Sequence, residues 1–162
     1  MILVTGGAGF IGSCIVAALN EAGRNDIAVN DFVGSEGKWR NLAKARLADF
    51  VPPSDLMAWL DGRKLDAVIH MGAISDTTAS DGDLVIETNF RLSLRLLDWC
   101  TAAKVPFIYA SSAATYGDAP DSPLKETSPT RPLTAYGADK LGSELHARVA
   151  GVVHGVPTTG MR

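Results

Sequence analysis

Short apolar runs alternate with longer stretches whose apolar residues recur at helical spacing. Ile2-Leu3-Val4-Thr5 is a strand-like run that stops at Gly6. Residues 10 to 22 predict a helix with its apolar face at Ile11, Ile15, Ala18, Leu19 and Ala22, closed by Gly23. Ile27 to Asp31 is a second strand, and a polar, glycine-containing loop runs from Phe32 to Arg40. Ala45 to Asp49 is expected as a short third strand, and Ser54 to Leu60 as a capped helix begun after two prolines. Asp66 to His70 is the fourth strand. Residues 81 to 103 carry Leu84, Val85, Leu92, Leu96 and Leu97 at helical spacing. Val105 to Ala110 is the fifth strand, residues 118 to 133 form a long loop with four prolines, and Tyr136 to Val152 is helical. Thr158 to Arg162 begins a sixth strand. Near-continuous apolar strands alternating with helices imply α/β architecture: a doubly wound parallel sheet covered on both faces. No internal repeat, low-complexity segment or domain linker interrupts it.

Composition narrows the partners. The 162 residues are 46% hydrophobic, with a net charge of −3 and a pI near 5.5. That length suits one domain, and the charge argues against a nucleic acid or an anionic membrane as partner. No apolar run reaches the roughly 18 residues of a membrane span. No basic segment precedes Ile2, so no signal peptide is expected and the location is expected to be cytoplasmic. Cys14 and Cys100 lack metal-ligand spacing and are expected as buried, reduced thiols. His70, His146 and His154 are scattered, and no metal site is expected. Trp39, Trp59 and Trp99 read as core or interface residues. Asp76, Asp81 and Asp83 read as a solvated loop and helix start.

Two constellations carry chemistry. The first is Thr5-Gly6-Gly7-Ala8-Gly9-Phe10-Ile11-Gly12, between the first strand and the first helix. Gly7, Gly9 and Gly12 satisfy G-x-G-x-x-G, and Gly6, Gly9 and Gly12 give G-x-x-G-x-x-G. Such a loop turns tightly, lets a pyrophosphate approach the backbone, and presents it to a helix N-terminus. Gly12 is expected to let the helix pack closely on the sheet. Asp31, 19 residues beyond Gly12, ends the second strand where a ribose-binding acid belongs. Asp31 would bond a 2′-hydroxyl and repel a 2′-phosphate, while Lys38 and Arg40 in the following loop would neutralise that phosphate. NAD and NADP both remain open on these residues.

The second constellation is Tyr136-Gly137-Ala138-Asp139-Lys140. Four-residue spacing puts the phenol and the ammonium on one helix face. A free phenol, with a pKa of about 10, is too weak a base at neutral pH. A neighbouring cation favours the phenolate, which would then remove a hydroxyl proton. Ser112, at the end of the fifth strand in Tyr109-Ala110-Ser111-Ser112-Ala113-Ala114-Thr115-Tyr116-Gly117, would hold the reacting oxygen.

Together these segments resemble the extended short-chain dehydrogenases/reductases, the superfamily of nucleotide-sugar epimerases and dehydratases. Glu126, followed by Pro132-Leu133 and Tyr136, fits their substrate-side loop. The closest likeness is to the ADP-L-glycero-D-manno-heptose 6-epimerase family of lipopolysaccharide biosynthesis. It rests on Ile2 to Ser13, Lys38 through Asn41-Leu42, Ala48-Asp49, and His70-x-Gly72-Ala73-x-Ser75-x-Thr77-Thr78 with Asp81-Gly82. The run from Pro106 to Gly117 matches too.

That resemblance implies a Rossmann-type NAD(P)-binding domain over residues 1–162, tightly bound NADP with NAD as the alternative, and a nucleotide-sugar substrate, with ADP-heptose favoured. Gly6, Gly9, Phe10, Ile11 and Gly12 would lie at the pyrophosphate. Asp31, Phe32 and Lys38 would lie at the adenosine ribose. Met71, Gly72, Ala73 and Ser75 would pass the cofactor after the fourth strand, with Thr88 or Asn89 beneath its nicotinamide side. Tyr136 would be the proton acceptor, Lys140 would also hold the nicotinamide ribose, and Ser112 would assist. Epimerisation would run by transient oxidation at C6″ and return of hydride to the opposite face. The family continues for about as much chain again, with the substrate domain, and is expected to oligomerise. Two residues depart from the family: Pro53 stands where a cofactor-contacting lysine can occur, and Met71 where a glutamate is expected. A UDP-hexose 4-epimerase, a sugar-nucleotide dehydratase and a non-catalytic dinucleotide-binding protein are the alternatives. Ala113-Ala114 after Ser112 counts against dehydration, which uses acidic groups there.

Overall fold

The computed structural model describes residues 1–35, 37–75, 80–119 and 123–162. Asp76, Thr77 and Thr78, singled out in the sequence, lie outside these residues. The chain divides into two compact units, Met1–Gly72 and Ala73–Arg162.

In the first unit, strands β1 (Ile2–Thr5), β2 (Ile27–Asn30), β3 (Asp49–Val51) and β4 (Ala67–His70) lie in the order β3-β2-β1-β4. All pair in parallel, with Ile2 opposite both Ile27 and Ala67, and Ala28 opposite Asp49. Sheet growth therefore reverses direction at β1, leaving the β1–β4 boundary as a switch point, where doubly wound sheets bind ligands. Helix α1 (Phe10–Glu21) sets Val16 into a core of Ile2, Val4, Ile27 and Val29.

The face of α1 is the expected one only in part: Ile15 and Leu19 are half-buried, Leu19 against that core, but the fully buried line is another. It runs through Gly12, Val16 and Asn20, while Ile11 is exposed. Asn20 is buried at no polar cost: its amide donates to the carbonyls of Arg24 and Arg46, and its oxygen accepts the Arg46 N–H. That contact also delays β3. With both backbone groups of Arg46 taken by a side chain, ladder pairing starts late, and the strand is Asp49–Val51 rather than 45–49. Cys14 is exposed on the outer side of α1, contrary to expectation, whereas Cys100 is buried. Trp39 is likewise exposed. Before helix α2 (Leu56–Leu60), Pro53–Asp55 form a 3-10 turn. No side chain caps it, because the Ser54 hydroxyl donates to Asp55 instead.

The second unit opens with a helical run in three parts. These are α3 (Gly82–Val85), a π turn over Ile86–Arg91, and α4 (Leu92–Ala103). The Asp81 carboxylate caps α3 by accepting the Leu84 N–H. Lys104 in the left-handed region ends α4. Pro106 has no N–H to give a ladder, so β5 is Phe107–Ala110, shorter than expected. Strand β6 (Thr158–Met161) pairs with it in parallel, Phe107 opposite Thr158 and Ala110 opposite Met161. Between them runs α5 (Ala135–His154), capped by the Thr134 hydroxyl, which accepts the Gly137 N–H at 3.0 Å. Among the described residues no helix is long and apolar enough to cross a membrane.

Gly12 does its packing against its own loop rather than the sheet. A Cβ there would stand 2.2 Å from the Gly6 carbonyl oxygen. Gly12→Ala is expected to cost about 2 kcal/mol through overpacking. Thermal denaturation would then show Tm lower by roughly 4–8 °C. An unchanged Tm would mean that the loop relaxes freely around a methyl group.

Candidate functional site

In the first unit the glycine loop wraps the N-terminus of α1. Gly6 takes a φ of +66°, and a Cβ on it would sit 2.6 Å from the Gly72 nitrogen. The loops after β1 and β4 thus touch backbone to backbone at the switch point. Thr5 holds them there: its hydroxyl oxygen accepts the Gly72 N–H at 3.1 Å and lies 2.6 Å from His70 Nδ1. Gly9 is the N-cap residue, no side chain caps the helix, and its first turn holds no acid. The first N–H groups of α1 are therefore left for an anion, and the first turn itself carries no carboxylate to oppose one.

Asp31 stands just past β2, 7% exposed. Its Oδ1 accepts the Phe32 N–H at 2.7 Å and the Lys38 ammonium at 2.6 Å, and its Oδ2 accepts the Ala8 N–H at 2.9 Å. Four acceptor positions on a carboxylate, less these three, leave one on Oδ2 for a ribose hydroxyl. Lys38, expected beside a 2′-phosphate, pairs with the acid itself. The Arg40 guanidinium lies over the neighbouring Trp39 ring, 5.7 Å from the centroid. Asn41, not foreseen as a site residue, donates its amide to the Ala8 carbonyl at 2.9 Å and braces the same loop. Phe10, Ile11 and Phe32 are exposed around this cradle.

In the second unit the expected trio comes from two segments. Ser112 lies two residues beyond β5, where it is the N-cap of a 3-10 turn, Ala113–Thr115. Its Oγ accepts the Ala114 N–H at 3.1 Å. Tyr136 and Lys140 occupy successive turns of α5, with the ammonium 5.7 Å from the Tyr136 ring centroid. Gly137 brings the two segments together. A side chain there would begin 2.6 Å from the Ala114 carbonyl oxygen, so only glycine lets the helix start approach the serine turn this closely. Lys140 is 3% exposed and donates to the Ala110 carbonyl at 3.0 Å. Burial pushes its pKa down to about 8, against a smaller upward pull from Asp139.

The loop after β4 continues in this unit. Asn89, fully buried, clamps Ile74: its oxygen accepts the Ile74 N–H at 2.7 Å, and its amide donates to the Ile74 carbonyl at 2.9 Å. Asn89 thus spends its amide on the backbone between Ala73 and Ser75, and Thr88, half-buried beside it, lies in the π turn. Sequence reasoning also passed over Glu144, one turn beyond Lys140 on α5, although the same four-residue spacing pointed to it.

A sequence model of the family described as NAD dependent epimerase/dehydratase matches residues 2–162. Among solved structures, UDP-glucose 4-epimerase from Thermotoga maritima is 30% identical with a TM-score of 0.86, over 99% of this chain and 54% of that one. UDP-N-acetylglucosamine 4-epimerase from Methanobrevibacter ruminantium is 30% identical with a TM-score of 0.85, over 99% and 53%. ADP-L-glycero-D-manno-heptose-6-epimerase from Helicobacter pylori is 30% identical with a TM-score of 0.82, over 99% and 54%. The chain therefore spans about half the length of these relatives. Likeness over nearly every residue carries the expected fold class, a parallel α/β sheet of Rossmann type.

The buried ammonium makes a prediction for stability. Below pH 8 Lys140 is charged both folded and unfolded, and its full desolvation cost weighs on the fold. Between about 8 and the ordinary 10.5 the unfolded chain still binds the proton that the folded one has lost, so stability climbs with pH. Lys140→Met should raise the unfolding free energy at pH 7 by about 2 kcal/mol, the relief of desolvation less one hydrogen bond. That gain should shrink as pH rises toward 10.5. Denaturant titrations at pH 7 and pH 10 check this, and an equal gain at both would contradict the buried-cation reading.

Proposed function

Since the chain belongs to the NAD dependent epimerase/dehydratase family, we propose that it is the dinucleotide-binding part of a nucleotide-sugar epimerase that works by transient oxidation of the sugar. The observation that carries this reading is the trio itself. A half-buried phenol lies one helical turn from a buried ammonium, and a glycine at the start of that helix backs onto the serine turn.

The residues fit a nicotinamide dinucleotide. The uncapped start of α1, with Gly6, Gly9, Phe10, Ile11 and Gly12, would take the pyrophosphate. Asp31 keeps one acceptor position for the adenosine ribose, beside Phe32. Lys38 neutralises Asp31 and stays 38% exposed, which admits a 2′-phosphate and favours NADP. Met71, Gly72, Ala73 and Ser75 would line the cofactor's passage, with Thr88 and the Asn89 clamp fixing that loop from behind. The bound dinucleotide would supply the hydride acceptor that later returns the hydride. Tyr136 would take the proton of the reacting sugar hydroxyl and hand it back on reduction. Lys140, cationic beside it, would favour the phenolate and hold a ribose hydroxyl. The Ser112 hydroxyl would hold the sugar oxygen as it turns from hydroxyl to carbonyl.

For the sugar, the motif likeness supports ADP-glycero-manno-heptose. The 4-epimerases acting on UDP-sugars are as similar in sequence as the heptose enzyme, which supports a UDP-hexose as the second reading. Full-length protein incubated with ADP-heptose and with UDP-galactose, followed by NMR at C6″ and C4″, separates them. Tyr136→Phe should slow epimerisation by roughly 10²- to 10⁴-fold while cofactor remains bound. Unchanged turnover with cofactor in place would sink the proton-transfer role. Mass spectrometry of released cofactor should find NADP, and Lys38→Ala should shift the bound species toward NAD. NAD alone in the unmodified protein would reverse the cofactor assignment.

A further inference from the structure

Two successive turns of α5 grip two successive residues of the chain leaving β5. Lys140 donates to the Ala110 carbonyl. Glu144, the next residue on that face, accepts the hydroxyl of Ser111. Ser111 is 8% exposed and is held from a third side, where its N–H donates to the Met161 carbonyl at 2.7 Å. Ser112 follows directly, so its place is decided by what holds Ser111.

Glu144 is itself fixed. The Arg162 guanidinium bonds it as a fork, Nε to Oε1 at 2.8 Å and Nη2 to Oε2 at 2.5 Å. Both side chains are nearly enclosed, 16% and 14% exposed. Burial alone would raise the Glu144 carboxyl, but Arg162 and Ser111 outweigh it and hold it below the ordinary range. The β5–β6 register explains the meeting: Ala110 lies opposite Met161, so the next residue of each strand brings Ser111 and Arg162 together. Arg162 reaches further, donating to the Glu126 carbonyl at 3.1 Å and lying 5.0 Å from the centroid of the Tyr116 ring. Tyr116 in turn donates to the Lys125 carbonyl. One ion pair thus joins α5, the end of β6, the segment carrying Ser112 and the loop beyond it.

We propose that Glu144 and Arg162 are positioning residues of the epimerase site, acting through the Ser111 hydroxyl to set the Ser112 hydroxyl against Tyr136 and Lys140. The inference rests on the catalytic reading above. A fork-shaped pair suits this task because two parallel bonds fix the carboxylate plane as well as its position. A catalytic hydroxyl displaced by an ångström loses much of its effect.

A pair that merely staples β6 to α5 would behave differently under a mild variant. Ser111→Ala removes the strut and leaves the ion pair and the Met161 bond intact. In the full-length protein Ser111→Ala should lower kcat roughly tenfold to hundredfold with little change in KM. Tm and cofactor content should stay close to the unmodified protein's. Ser111→Thr, which restores the hydroxyl, should recover most of the rate. Glu144→Gln should act in the same direction as Ser111→Ala, and in both variants hydrogen exchange should quicken at residues 111–117. If Ser111→Ala turns over normally, or exchange in that segment is unmoved, the inference is overturned. If the unmodified protein epimerises neither ADP-heptose nor UDP-galactose, the catalytic reading falls and takes this one with it.

Discussion

The fold drives an ammonium out of water and gives it one backbone carbonyl. Lys140 sits where α5 closes on the end of β5, and the contact exists because Gly137 has no side chain to hold the helix away from Ala114. Desolvation outweighs the pull of Asp139, and the pKa falls to about 8. At neutral pH the group is still mainly cationic. A hydrophobic residue would serve the fold better at that position, since one hydrogen bond to a neutral carbonyl recovers only part of the burial cost. Such local expense marks sites kept for chemistry rather than for packing. A cation beside a phenol is what a tyrosine base requires.

The same logic separates what the sequence made legible from what it did not. Strand and helix order could be read because parallel strands buried on both faces leave unbroken apolar runs. The α1 face was read only in part, because two of its three fully buried positions, Gly12 and Asn20, are invisible to a hydrophobic pattern. One is buried for want of a side chain, and the other because three backbone groups satisfy it. That asparagine also displaced β3. The π turn had no signal either, since its six residues extend an apolar spacing that an ordinary helix would also produce.

At the candidate site, residue types and order were legible, while the bonds between them were not. Asp31 could be picked out by its distance from the glycine loop. Its contacts with Ala8 and Phe32 show that it also builds that loop, so the acid that would read the ribose is the acid that shapes the phosphate cradle. Substituting it would therefore disturb both functions at once, and a loss of binding could not be assigned to the ribose alone. Lys38 is the separable partner: it touches one carboxylate oxygen and no backbone of the loop in the described contacts. Likewise Asn89 reads as a cofactor contact from the family pattern, yet its amide is committed to Ile74, and any influence on a ligand would pass through the backbone it holds.

These commitments imply a division of labour. Groups that would touch ligand, such as the α1 N-terminus, the remaining Asp31 acceptor and the Tyr136 phenol, are backed by residues whose polar atoms are spent on backbone: Thr5 on Gly72, Asn41 on Ala8 and Asn89 on Ile74; Lys140 spends one of its three donors on Ala110 and keeps two. Backbone anchors suit this purpose because a main-chain carbonyl or N–H has no rotamers of its own, so the ordering cost is met once, when the fold forms. Reaction would then begin with its donors and acceptors already aimed, which is where electrostatic preorganisation draws its advantage over water. Under the proposed function, a sugar would be recognised by other means. The relatives are nearly twice as long as this chain, and none of the anchored groups named here discriminates one hexose or heptose from another. If the chain acts as proposed, the anchored groups would set the chemistry, and the choice of sugar would fall to groups outside them.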